Sequence, residues 1–224
     1  MKIVSFSGID GAGKSTQISA LEAWLGEIGL RVQMLTFWDD VVVLPKLREF
    51  MSHVAFKGDQ GIGSPERPLQ RRDKNVTSLP VSFMRFGLYF LDAINLCRVS
   101  VKARKSGSDV VIFDRYIYDE LANLPLKGLL TRSFVSLLLK FVPKPDIAYL
   151  VDADPVAALA RKPEYPLDFL HRNREAYLSL ARFTGAITLI EPQSVEAMAR
   201  KIRSVFLQRL SRPAAEYSGL PALP

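Results

Sequence analysis

The residues best suited to chemistry lie near the start of the chain. The stretch GIDGAGKST, residues 8–16, combines Gly8, Gly11 and Gly13 with Lys14, Ser15 and Thr16. Gly8, Gly13, Lys14 and Ser15 satisfy the pattern G-x-x-x-x-G-K-[ST]. Glycines let successive backbone N–H groups turn inward onto phosphate oxygens. The Lys14 ammonium is placed to reach β- and γ-phosphates, and the Ser15 hydroxyl suits Mg²⁺. A strand-like run, Val4 to Phe6, precedes the loop, and a helix-like run with Ile18, Leu21, Leu25 and Ile28 follows it. The start of that helix adds its positive dipole end. The loop is expected to hold a nucleoside triphosphate.

A second stretch, VVIFDRYIYDELA, ends an apolar run in Asp114 and Arg115. A carboxylate at the end of a buried strand can bind the magnesium shell or poise an acceptor group. An adjacent guanidinium suits bidentate recognition of a phosphate.

These segments, together with YLVDADPVAALAR at 149–161 and FLHRNREAYLSLA at 169–181, resemble the thymidylate kinase family of P-loop nucleoside monophosphate kinases. The resemblance spans most of the chain, in the family's order. It implies transfer of the γ-phosphoryl group of ATP to a nucleoside monophosphate, dTMP first, with Mg²⁺. It places Asp10 against the acceptor's sugar or phosphate, Arg115 on the acceptor's phosphate and Tyr89 under the base. The family's catalytic arginine comes from the phosphate loop or from a lid. Gly11 holds the loop position here, so the resemblance assigns that role to Arg161, with Lys162 beside it. Asp92, one turn beyond Tyr89, is a candidate for the acceptor pocket. Family members are commonly homodimers, and the apolar helix Phe83–Val101 is a candidate interface.

Three positions depart from the family pattern. TFWDDVVVLP follows the second strand where an acidic-Arg-Pro stretch is usual, Ala93 stands where a thymine-reading arginine is expected, and the lid segment 161–174 is short. A site that loses a hydrogen-bonding side chain loses discrimination. Two other readings therefore stay open: a P-loop deoxynucleoside or other small-molecule kinase, and a nucleotide-binding regulatory protein with little transfer activity.

The elements that must position these groups follow from the apolar pattern. Strands are expected at Val4–Phe6, Val32–Thr36, Val110–Asp114, Ile147–Val151 and in AITLIEP. They alternate with helices and are apolar on both faces, which predicts an α/β, five-stranded parallel sheet covered on both sides. A helix is expected from Pro45, Phe83–Val101 reads as a long helix, and Asp154 and Ser194 read as N-caps. Residues 1–212 read as one P-loop kinase domain, with an insertion at 57–80 and a proline-containing tail at 213–224.

Composition narrows the setting. The chain has 224 residues, one cysteine and a net charge of +7. A single cysteine excludes an internal disulfide and suits a reduced, cytoplasmic compartment. The longest apolar stretch, Phe134–Val142, is too short to span a membrane. The basic balance attracts anions in general, but no aromatic-basic module for nucleic acid is visible.

Overall fold

A computed structural model describes residues 1–44 and 79–210. The expected helix from Pro45, all of the 57–80 insertion but its last two residues, and the 213–224 tail lie outside the described residues. Five strands form one parallel sheet: β1 (Lys2–Ser7), β2 (Val32–Thr36), β3 (Val110–Asp114), β4 (Ile147–Val151) and β5 (Ile187–Ile190), in the order β2-β3-β1-β4-β5. The central strands are buried almost throughout, whereas β2 and β5 at the edges are half-buried. Continuous Val, Ile and Phe runs are what a strand covered on both faces requires.

Seven α-helices accompany the strands among the described residues: α1 (Lys14–Glu27), α2 (Leu79–Arg104), α3 (Ile117–Leu121), α4 (Leu129–Phe141), α5 (Pro155–Arg161), α6 (Leu167–Thr184) and α7 (Val195–Leu210), with a single π-helical turn at Phe37–Val41. Helix α2 is longer than its apolar pattern suggested, since it begins inside the expected insertion, at Leu79. Helix α1 packs on α7, where Trp24 meets Phe206 edge-on at 6.0 Å. Helix α2 packs on α3 and α4, with Phe86 stacked on Phe134 at 4.1 Å. Asp154 caps α5 by accepting the Ala157 N–H at 3.0 Å, and Ser194 caps α7 by accepting that of Ala197 at 3.2 Å.

The register decides where chemistry can happen. Phe6 pairs with Asp114 and Ser7 with Leu150, so the carboxyl ends of β1, β3 and β4 lie side by side. The chain leaves β1 toward β2 on one side of the sheet, and β4 and β5 are added on the other. In such sheets the crevice beyond the carboxyl ends, at this reversal, is where ligands bind.

The segment after β2 is tied to α2. Asp40 Oδ2 accepts the Thr36 N–H at 2.7 Å, Asp92 Oδ1 accepts that of Val43 at 2.7 Å, and Asn95 Nδ2 donates to the Val41 carbonyl at 2.7 Å. Phe37 is wholly buried, while Trp38 is exposed.

Candidate active site

The phosphate loop leaves β1 at Ser7 and enters α1 at Lys14. Gly8, Gly11 and Gly13 all have positive φ, of 143°, 78° and 91°. A Cβ at Gly8 would lie 2.4 Å from the Val151 carbonyl oxygen, and one at Gly11 2.4 Å from that of Ala158. The loop is thus wedged between the end of β4 and helix α5. Gly13 caps α1 in the left-handed conformation, and no side chain accepts from the first-turn amides. An uncapped helix start of this kind is a ready anion site. Ser15 and Thr16 are exposed at that start.

Lys14 is buried, and its ammonium donates to the carbonyls of Gly8 and Ile9, each at 2.9 Å. Burial, then the nearby Arg115 guanidinium, lowers its pKa to about 8, against the pull of Asp10, Asp119 and Asp114. These charges therefore share one locus. An anion entering here would stabilise the Lys14 ammonium.

Arg115 follows β3 with φ of 67°, a left-handed conformation that costs a non-glycine residue about 1–3 kcal/mol. Its N–H donates to the Phe6 carbonyl at 2.9 Å, which extends the β1–β3 ladder by one step. Its guanidinium is shared between two carboxylates: Nη2 donates to Asp10 Oδ1 at 2.5 Å and Nη1 to Asp119 Oδ1 at 2.9 Å. Burial works against the Arg115 charge, but Asp119, Tyr177 and Asp10 outweigh it and raise its pKa.

Asp114 is half-buried, and its Oδ1 has no hydrogen-bond partner among the described residues. A buried carboxylate oxygen without a donor is a group that a cation or a bound hydroxyl would satisfy. With the exposed Ser15 hydroxyl, it fits a hard cation. Among the described residues, no cluster of three or more His, Cys, Asp or Glu could hold a metal. Mg²⁺ on nucleotide phosphates needs none, because it takes one or two protein oxygens and keeps several waters.

Arg161, the last residue of α5, folds back over the loop. Its Nε donates to the Ala157 carbonyl at 3.1 Å, and its Nη1 lies 3.9 Å from where a Gly13 Cβ would stand. Lys162 pairs with Glu164 at 3.3 Å. Between α5 and α6, Tyr165, Phe169 and Leu170 form a small apolar cluster with Leu159. This cluster anchors the start of α6 to α5. Arg174 grips Asp152 with two bonds of 2.7 Å, which ties α6 to the end of β4.

The structure gathers Gly8, Asp10, Gly11, Gly13, Lys14, Asp114, Arg115 and Arg161 around one crevice. Tyr89 and Asp92 are buried on α2, and Asp92 also serves to hold the Val43 amide. Reading the sequence missed Asp119, which accepts four hydrogen bonds beneath Arg115. Its one local signal is a carboxylate three residues after Tyr116, the N3 place of a capping box, whereas its distant partners leave no trace in the sequence.

A parallel sheet in this strand order, with a glycine loop and buried lysine at the end of β1, defines the P-loop α/β class. The thymidylate kinase family model matches residues 74–202, more than half of the chain. That match begins beyond the phosphate loop, so loop and model are independent observations. The chain is 31% identical over 193 residues to the probable thymidylate kinase of Pyrobaculum aerophilum, covering 83% of this chain and 85% of that one. It is 25% identical over 214 residues to that of Archaeoglobus fulgidus (92% and 96%) and 28% over 210 residues to that of Methanothermobacter thermautotrophicus (90% and 92%). The chain belongs to the thymidylate kinase family.

Proposed function

We propose that the protein is an ATP-dependent nucleoside monophosphate kinase that phosphorylates dTMP. The observation that carries this reading is the convergence of Lys14, Asp10, Arg115 and Arg161 on one crevice at the carboxyl ends of β1 and β3. Phosphoryl transfer asks a protein mainly to position reactants and neutralise charge. The loop amides of Gly8 to Ser15, with Thr16, grip the triphosphate, and Lys14 turns from the Gly8 and Ile9 carbonyls to the phosphates. Arg115 exchanges Asp10 for the acceptor's phosphate, and the freed Asp10 accepts from the acceptor's hydroxyl. Arg161 reaches across the loop to the transferring group. Tyr89 offers a ring to the base, and Asp92, one turn further along the same helix, lines the acceptor pocket. Mg²⁺, held by Ser15 and Asp114, neutralises phosphate charge when bound.

Residues 1–212 serve as one catalytic unit, with 161–174 as its lid. Phe90, Leu91, Ile94 and Val101 of α2 and Leu137 and Phe141 of α4 are exposed apolar residues, which supports a homodimer through these helices. No helix among the described residues is long and apolar enough to cross a membrane. The half-buried free thiol of Cys97 suits a cytoplasmic setting.

The test is the thermal midpoint with a non-hydrolysable ATP analogue, Mg²⁺ and a panel of acceptors. The expected result is a further rise with dTMP above that given by the analogue alone. A rise with deoxynucleosides and none with any monophosphate would replace this reading with that of a nucleoside kinase.

A further inference from the structure

Arg115 has two carboxylate partners in unequal surroundings. The Asp119 side chain is 1% exposed and that of Asp10 is 17% exposed, with Arg115 itself at 19%. Asp119 is also held by four donors. Its Oδ1 accepts from Arg115 Nη1 at 2.9 Å and from the Tyr177 hydroxyl at 2.7 Å. Its Oδ2 accepts from the Ser7 hydroxyl at 2.6 Å and from the Tyr116 N–H at 3.1 Å. Four donors satisfy a carboxylate that burial alone would make very costly. Burial, then Asp119, keeps the Tyr177 hydroxyl protonated well above the usual range, so it stays a donor.

We infer that Asp119 is a positioning residue for phosphate recognition: it fixes one arm of Arg115 so that the other, resting on Asp10, is presented to the acceptor's phosphate. The inference rests on the proposed role of Arg115. The geometry separates the two carboxylates by task. Asp10, on the loop at the crevice, is the partner that an incoming phosphate can replace. Asp119 is locked from three directions, by β1 through Ser7, by its own helix α3 and by α6 through Tyr177. A phosphate therefore meets a guanidinium already oriented in a strained left-handed turn, and little ordering is left to be done on binding. Tyr177 lies on α6, whose first turn carries Phe169 and Leu170 of the lid cluster, so the lid helix and the acceptor arginine share one buried carboxylate.

The test compares steady-state kinetics with dTMP for Asp119→Asn, Arg115→Ala and the double variant. Asp119→Asn keeps the shape and removes the charge. It should raise the KM for dTMP about 10- to 100-fold, as expected for a charge-assisted pair, with the KM for ATP within about twofold. In the Arg115→Ala background it should add little, since the two act as one unit. An unchanged KM for dTMP in Asp119→Asn, when Arg115→Ala raises it, overturns the inference and leaves the proposed function standing. Equal effects of Asp119→Asn in both backgrounds also overturn it. An unchanged KM for dTMP in Arg115→Ala overturns the acceptor role of Arg115 itself, and the inference with it. Should Asp119→Asn fail to fold, Tyr177→Phe decides, because it removes one donor only. The KM for dTMP should then rise about two- to tenfold, and no rise would overturn the inference.

Discussion

Gly11 and Ala158 meet without room for a side chain: a Cβ on Gly11 would lie 2.4 Å from the Ala158 carbonyl oxygen. The backbone of the phosphate loop thus rests directly on the backbone of α5, the helix that ends in Arg161. An arginine at position 11 could not be accommodated here, and the cation above the loop comes from α5 instead.

Gly11→Ala should therefore be destabilising, by about 2–4 kcal/mol from the left-handed φ of 78° and the contact together. Gly26→Ala is the control. Nothing lies within 4 Å of its Cβ, so it should be neutral or stabilising by up to about 1 kcal/mol. Urea unfolding of both variants checks the pair, and equal stabilities would contradict the packing described.

Arg161→Ala should lower the transfer rate about 10³-fold, the lower end of what a catalytic arginine supplies. ATP affinity should change by less than about threefold, because the proposed grip on the triphosphate is that of Lys14 and the loop amides. Single-turnover kinetics with equilibrium binding checks this. A loss of affinity with an unchanged rate would make Arg161 a ground-state ligand.

If Lys14 holds the triphosphate as proposed, nucleotide binding should depend on pH. Its folded pKa of about 8 lies below the ordinary 10.5. Between these values the unfolded chain holds a proton that the native one lacks, so this group's contribution to stability rises with pH across that window. At neutral pH the buried ammonium costs the empty protein roughly 3 kcal/mol. A bound triphosphate reverses the preference and favours the proton. ATP affinity should weaken as pH rises above about 8, by up to about tenfold per unit, with proton uptake on binding. Calorimetry in buffers of different ionisation enthalpy reads this, and Lys14→Ala should abolish it while losing several orders of magnitude in transfer rate.

Arg174→Ala should cost about 1–3 kcal/mol of stability, because it strands the buried Asp152 carboxylate that now takes both 2.7 Å bonds. A variant as stable as the parent at pH 7 would show that the pair contributes nothing.

Much of this architecture is legible in the residues themselves. Val110–Phe113 and Ile147–Val151 are apolar at every position because β3 and β4 are covered on both faces, and that pattern is visible without coordinates. The loop at 8–16 is equally plain, since its glycines answer a local backbone demand. Asp119 was hidden for the opposite reason: its partners Ser7 and Tyr177 lie 112 and 58 residues away, and only the folded sheet brings them together. Phe37 shows the same limit. It stands in the stretch that departs from the family pattern, and it is wholly buried as the first residue of a π-helical turn fastened to α2 by Asp92 and Asn95. Arg174 closes the short 161–174 segment in sequence, but its guanidinium is spent on Asp152, a partner 22 residues away.

The central claim is transfer of a phosphoryl group between two nucleotides held in one crevice. Chromatographic quantitation of a reaction containing ATP, Mg²⁺ and dTMP tests it most directly. Equal amounts of dTDP and ADP are expected, with ADP formation near background when dTMP is omitted. ADP accumulating without any phosphorylated acceptor, or no consumption of ATP at all, would contradict it.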